Sequence, residues 1–275
     1  MVMRVRSAWR KNRIREVLQT LGRYLAILSI VALGVGLFAG LRVTRRAMVD
    51  TADDYLRQNA MFDDKLVSTL GWTEDDVNAI AGTEGISKAE GSVTLDVIAE
   101  MENGSSYVLA AHSITKDLNR LSLTAGRLPE RADECVADAD MLDESSLGTK
   151  IHISGENDAD TKDAFAWDNY TIVGLANSTE YLNIERGTTK LAGGKISAFL
   201  YLPKDGFSTD YFTEVYVSLA GAGQRIFSDE YQNTVDAMEQ PLKDRMQILA
   251  NARYEDLRND ANGKIADGEQ EYNDG

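Results

Sequence analysis

YLAILSIVALGVGLFAGL, residues 24–41, runs for eighteen residues without a charge. An α-helix pairs its own backbone groups and so can sit in hydrocarbon without stranding them. About 20 apolar residues cross a bilayer core of roughly 30 Å, and Val43 and Ala47 can lengthen the run beyond Arg42. The stretch reads as a membrane-spanning helix that divides the chain into two sides. A cleaved leader would have a short basic start, an apolar core of about 7–15 residues and a small-x-small cleavage site. Here twenty-three residues precede the run, and Arg42, Arg45 and Arg46 follow it, which favours a retained anchor. Gly36 and Gly40 form a G-x-x-x-G that would let a second helix approach closely.

Charge sets the expected orientation. Residues 1–23 carry seven basic side chains against the single Glu16, whereas three arginines follow the apolar run. Basic residues favour the cytoplasmic side, so the N-terminus is expected inside and the chain after residue 41 outside. Spacing of Val5, Trp9, Ile14, Val17 and Leu21 among arginines predicts a basic amphipathic helix over residues 2–20 at the membrane interface.

The whole chain has a formal net charge of -15, so the part beyond residue 23 carries -21. So acidic a body repels phosphates and excludes nucleic acid as a partner. Hydrophobic residues make up 43% of the chain and prolines number three, which predicts a folded exported part. Cys135 is the only cysteine, so no intramolecular disulfide can staple that part. Low cysteine use is compatible with a bacterial cell surface.

The pattern beyond the apolar run alternates between helix and strand. Helix is expected to continue over 47–59, followed by a strand at 64–69 that Gly71 breaks. Thr73 before Glu74, Asp75 and Asp76 marks a capped helix start. Strands are expected at 86–100 and 105–112, joined through Asn103-Gly104 as a hairpin. Further strands are expected at 134–137, 150–154, 170–175, 196–202 and 214–219. A short helix is predicted over 141–147, and GENDADTKD (155–163) reads as a polar loop. From Ser228 a helix begins, which Pro241 should interrupt or kink. Leu242, Met246, Leu249, Leu257, Ala261 and Ile265 then recur at spacings mostly of three or four, the start of a coiled coil. Because most of that helix is charged, it is expected to project as a stalk and add little to the core of residues 60–227.

No residue set for catalysis, cofactor or metal is apparent. A Walker-type phosphate loop is missing, so ATP hydrolysis would need a separate chain. Cys135 with His112 or His152 could form a nucleophilic pair, but a lone cysteine in a strand reads as a small core residue. The two histidines lack a third ligand at metal-site spacing. Asp138, Asp140, Asp143 and Glu144 lack the ligand order of a calcium loop and read as a solvated acidic face.

LTAGRLPERADECVAD (123–138) followed by LGTKIHI (147–153), with TIVGLANSTEYLNIERGTTKLAGGKISAFLYLP (171–203) and YFTEVYVSLAGA (211–222) after them, resembles the N-terminal part of FtsX-like ABC transporter permeases with a MacB-type periplasmic core domain. The tail KIADGEQEYNDG (264–275) resembles the coiled-coil insertion of large members. Within the first of these stretches, Gly126 and Pro129 set a tight connection that Arg127 can brace. The resemblance implies an α+β fold: one transmembrane helix, a mixed extracytoplasmic domain in two lobes, then a long helical stalk. The expected divisions are a basic cytoplasmic segment (1–23), the span (24–41), a helical connector (42–59), the core domain (60–227) and the stalk (228–275). The implied partners are a separate ABC ATPase, a second permease half or a homodimer partner, and the lipid bilayer. Such permeases carry further membrane helices after the exported domain. None lies after Leu41 here, so the chain reads as the front part of a longer permease. The competing expectation is a single-pass anchored binding or sensor domain.

Overall fold

The computed structural model describes Trp9, residues 13–15 and residues 20–274, with side chains through residue 270. It divides into two compact units, Met1–Ala52 and Asp53–Gly275. The interfacial helix expected over 2–20 lies outside the described residues, save Trp9 and residues 13–15. Those four are helical, with the Arg13 guanidinium 3.6 Å above the Trp9 ring.

Helix α1, Leu21–Gln58, merges the expected span and connector into one helix of 38 residues, and its apolar window is long and hydrophobic enough to cross a membrane. At 1.5 Å per residue it is roughly 57 Å long, nearly twice a hydrocarbon core. From Leu21 to Met48 its side chains are exposed, Leu33 and Phe38 among them. A Cβ added at Gly36 or Gly40 meets nothing within 4 Å.

The second unit holds two sheets. Strands β1 (Asp64–Trp72), β2 (Ile86–Ser92) and β10 (Phe212–Leu219) form an antiparallel sheet with β10 in the centre. Helix α2 (Glu74–Ala81) starts with the expected cap. The Thr73 hydroxyl accepts from Asp76 N–H, and the Asp76 carboxylate accepts from Thr73 N–H. Strands β3 (Thr94–Met101), β4 (Ser106–Ser113), β5 (Ser122–Gly126), β6 (Glu134–Asp138), β7 (Lys150–Ile153), β8 (Asn169–Asn177) and β9 (Ala198–Leu202) form the other sheet. Its order is β5-β8-β6-β9-β4-β3-β7, and β7 pairs again with β8. Six strands therefore close into a barrel, with β5 appended to β8.

Period-2 alternation fills that barrel. Val97, Ala99, Leu109, Ala111, Cys135, Ala137, Ile151, Tyr170, Ile172, Leu200 and Leu202 point inward in one cluster. On β8 one edge serves two partners: residues 169–171 pair with β7, and 174–177 pair with β5. The handover falls at Val173, where the register to β6 also shifts. There Arg127 N–H donates to the Val173 carbonyl at 2.9 Å. A Cβ on Gly126, at φ +73°, would stand 2.2 Å from that carbonyl, so only glycine fits.

Several expectations change. The run 86–100 is two strands in two sheets, parted at Val93. Hydroxyls take over the ladder at this crossing: Val93 N–H donates to Ser113 Oγ (2.9 Å) and Thr94 N–H to Thr213 Oγ1 (2.7 Å). The β3–β4 hairpin turns through Glu102-Asn103-Gly104 as expected, with Gly104 at φ +79°. Gly71 does not end β1, which runs on to Trp72 through a register shift. The short helix expected over 141–147 shrinks to one 3-10 turn, Glu144–Ser146, capped by Asp143. The polar loop 155–163 holds a single helical turn, α3 (Ala159–Asp163), capped by Asp158.

Helix α4, Asp229–Asp274, passes through Pro241 without interruption. It also enters the core, against expectation. Leu242 and Leu249 are buried with Leu66, Trp72, Val77, Ile80 and Val217, and Val235, Met238 and Met246 pack alongside. Their spacing of three and four puts them on one stripe, so the charges of this half lie on the other faces. Met238 lies so close that a Cβ on Gly85 would come within 2.5 Å of its sulfur. Only the half beyond Leu249 is largely exposed, Ile265 included.

Leu242→Ala should therefore lower unfolding stability by about 2–5 kcal/mol. Leu257→Ala, farther along the same helix, should stay within about 0.5 kcal/mol. Denaturant unfolding of the two variants checks the contrast; equal effects would show that α4 packs no differently in its two halves.

Candidate functional site

Where the polar face of the small sheet meets the outer face of the barrel, charged and aromatic side chains replace an apolar core. Strand β1 brings Lys65, and β10 brings Glu214 and Tyr216. From the barrel come Thr94 (β3), His112 (β4) and Tyr201 (β9). The segment after β8 adds Ser178, Thr179, Glu180 and Tyr181. The Lys65 ammonium stands 3.3 Å from Glu180 and 3.2 Å from Glu214, bridging two carboxylates that burial would otherwise penalise. Glu180 also accepts from Tyr216 Oη (2.7 Å) and Asn119 Nδ2 (2.7 Å). Asn119 in turn accepts from the Thr179 hydroxyl.

The network fixes the tautomer of His112. An ionised carboxylate only accepts, so the Thr94 hydroxyl proton goes to Glu214 Oε2 at 3.0 Å. Thr94 Oγ1 can then only accept from His112, whose Nδ1 lies 3.0 Å away and carries the proton. Nε2 is left as a lone pair, filled by the Tyr181 hydroxyl at 2.7 Å. Neutral His112 is thus fully satisfied, and a second proton would force Tyr181 to turn its hydroxyl away. Its ring stacks on Tyr201 at 4.9 Å.

Titration follows from this setting. Burial holds the His112 pKa below its ordinary value, aided by Lys65, while Glu180, Glu214 and Asp96 pull the other way. Burial alone would lower the Lys65 pKa, but the two carboxylates raise it. Burial pushes Glu180 up, yet His112, Lys65 and the Tyr216 hydroxyl together hold it below the usual carboxylate range. Burial also drives the Tyr201 and Tyr216 phenols well up. With His112 neutral, the cluster is one lysine short of neutrality against its two glutamates.

His112, Glu180 and Glu214 do present ligand atoms within 4.8 Å of one another, a juxtaposition that sequence spacing hid. The donors are already engaged, however. Lys65 occupies the cation position between the carboxylates, and both imidazole nitrogens have partners. The arrangement binds one sheet to the other; its donor set is spent on its own members.

A second ionic lock lies on the same outer face. Arg186, almost fully buried, donates Nε to Asp138 Oδ2 (2.5 Å) and Nη2 to Asp138 Oδ1 and Asp140 Oδ2 (both 2.8 Å). Its hydrogen bonds to Asp138, its main influence, raise its pKa further. Its guanidinium lies 5.5 Å from the Phe199 ring and 5.6 Å from Tyr181. Asp138 is therefore buried and paired, and the solvated acidic face expected of it is corrected. Asp140 keeps an exposed side chain, and Asp143 caps a turn. Arg127 braces its connection as expected, donating to both oxygens of Glu134 at 2.8 Å. That pair holds the Glu134 carboxyl down at about 2. Cys135 and His112 do not meet. The thiol is sealed inside the barrel, where burial pushes its pKa far up, whereas His112 is on the outer face. His152 is exposed, 3.2 Å from Asn169.

No family model and no curated protein matched the chain. Among solved structures, the extracellular domain of the noncanonic ABC-type transporter YknZ from Gram-positive bacteria is similar at 16% identity and a TM-score of 0.39, over 61% of this chain and 80% of that one. The periplasmic region of MacB from Actinobacillus actinomycetemcomitans is similar at 13% identity and 0.39, over 64% and 75%. A domain of a permease protein from Porphyromonas gingivalis is similar at 12% identity and 0.38, over 64% and 76%.

Because the folded pKa of His112 is depressed, the unfolded chain takes up the proton that the folded one refuses as pH falls below about 6.5. Stability contributed by His112 is thus present above that pH and lost on acidification. The unfolding midpoint should drop between pH 7 and pH 5, and less steeply in His112→Asn. The raised Lys65 pKa works in the opposite direction: its contribution is complete below about 10.5 and is lost as pH rises through the folded value. Lys65→Met should cost about 1–3 kcal/mol, discounted because a third of that side chain is exposed. Adding Glu214→Gln should recover part of the loss; a double variant no more stable than Lys65→Met would show that Lys65 is not there to balance Glu214.

Proposed function

We propose that the chain is the N-terminal part of a permease subunit of an ABC transporter, coupling a separate ATPase to export or signalling outside the membrane. The family resemblance of residues 123–138, 147–153, 171–203 and 211–222 supports this reading, as does the order of span, α+β domain and long helix. The observation that carries it is the junction between the end of α1 and the start of α4. Asp53 accepts from Ile226 N–H at 2.7 Å, and its partner Arg57, 3.0 Å away, donates to the Gly223 carbonyl at 3.2 Å. Asp63 accepts from Leu219 N–H and from the Tyr231 hydroxyl of α4's first turn, at 2.7 and 2.9 Å. A shift in the last turns of α1 therefore pulls on the root of the long helix through charge-assisted hydrogen bonds. A merely tethered domain has no need of such a grip.

Orientation in this reading is N-terminus cytoplasmic and acidic domain outside. Asp160→Cys places a thiol on the exposed turn α3, and buried Cys135 leaves the parent protein silent. A membrane-impermeant maleimide should label Asp160→Cys on intact cells. Labelling only after lysis would reverse the topology.

Coupling is tested by isolating the full-length protein from membranes of its own host. The expected result is co-purification of an ATPase subunit with ATP turnover, and Asp53→Ala should alter that turnover without dissociating the complex. Isolation without an ATPase would favour the anchored binding or sensor domain instead.

A further inference from the structure

The pairing of β9 with β4 begins only at Ala198 opposite Leu109, so Ser106–Val108 extend past the start of β9 at one end of the barrel. A cavity of about 140 Å³ opens there. Leu109, Ile151, Ala198 and Leu200 form its floor, and Met101 and Met141 belong to its rim. Its lining includes no charged side chain. Met141 is 47% exposed and Tyr107, beside it, 42%, although both present large apolar surface. A dry cavity of this size holds about one benzene ring. It therefore matches a single leucine or phenylalanine side chain and is too small for a longer chain.

Over the rim, sharing Tyr107 and Ser197 with the cavity, runs a polar groove of about 290 Å³ along the outside of the barrel. Glu156 and Lys195 line it, together with the main chain around Gly193. One charge of each sign makes this a locally neutral site on a chain whose residues beyond 23 carry -21. A free apolar molecule would fill the cavity and leave the groove wet. A polypeptide matches both, because its amides need polar partners and one side chain can turn over the rim.

We propose that this end of the barrel is a docking site for an extended, uncharged segment of a partner protein, anchored by one leucine or phenylalanine in the cavity. Met141 and Met101, flexible and polarisable, adapt the rim to either side chain. The proposal is independent of the permease reading.

Methyl NMR of the full-length chain in lipid nanodiscs, labelled at methionine, tests it. The probes are N-acetyl-glycyl-leucyl-glycinamide and its phenylalanyl analogue, with the glutaminyl analogue and toluene for comparison. The leucyl and phenylalanyl peptides should shift the Met101 and Met141 methyls saturably while leaving Met238 and Met246, in the other core, in place. Met141→Lys, at an exposed position, should weaken binding at least tenfold with an unchanged unfolding midpoint. Ala198→Leu, which fills the floor, should do the same. Equal binding of the glutaminyl peptide, shifts that never saturate, or unchanged affinity in Met141→Lys would overturn the proposal. Toluene binding as tightly as the peptides would also overturn it, leaving a small-molecule pocket without a peptide groove.

Discussion

One edge of β8 is shared by two strands, and the barrel of the second unit depends on that economy. A sheet closes into a barrel only if its last strand finds the first, and here β7 reaches β8 before β5 takes over the remaining edge. The extra residue at Val173 makes the handover possible, since a bulge bends a strand and increases its twist. Closure removes most of the exposed edges that would otherwise invite foreign strands. It also turns one side of every strand into a sealed interior, which is why a thiol can lie there inert and why no disulfide is needed.

Once the barrel is closed, its outer face becomes the problem. Val136, Phe199 and Tyr201 would expose apolar surface there, and the segment after β8 covers it. The segment has little regular structure of its own, so its position is set by side chains. Arg186 pins its far part through Asp138, and Glu180 pins its near part through Lys65 and Tyr216. Both anchors are charge pairs whose rupture would strand a buried ion, a large penalty compared with the modest gain of making them. Such contacts specify one arrangement of the two sheets more sharply than interchangeable apolar contacts would.

The legible parts of the chain are those governed by local rules. Thr73 with Asp76 announces a capped helix, Asn103-Gly104 a hairpin, and eighteen uncharged residues a possible span. Gly126, Pro129 and Arg127 were legible as a braced turn, but the brace's partner, Glu134, seven residues on from Arg127, was not. The parting of β2 from β3 was hidden, since alternation runs through Val93 unbroken and hydroxyls distant in sequence make the crossing. Lys65, Glu214 and Tyr216 were read past because polar residues alternating with Val215 and Val217 signal a wet face, and nothing local says that the barrel covers it. Asp138 looked solvated for the same reason: Arg186 lies 48 residues away. In α4 the apolar stripe was noticed, but its charge outweighed it, although Val235 to Leu249 keep the charges off the buried side.

The small sheet also imposes an order in time. Asp64 of β1 pairs with Val217 of β10, roughly 150 residues later, and the stripe of α4 that covers the same core comes later still. At about 5–20 residues per second, a ribosome needs on the order of 8–30 s to deliver the missing centre strand. Until then Leu66, Trp72, Val77 and Ile80 have no core to enter, while the barrel strands, lying between, can already be pairing. Nascent chains of this protein therefore carry an uncovered apolar strand and helix through most of their synthesis. Protection of that surface during synthesis, as well as the stability of the finished fold, then bears on how much of the protein matures.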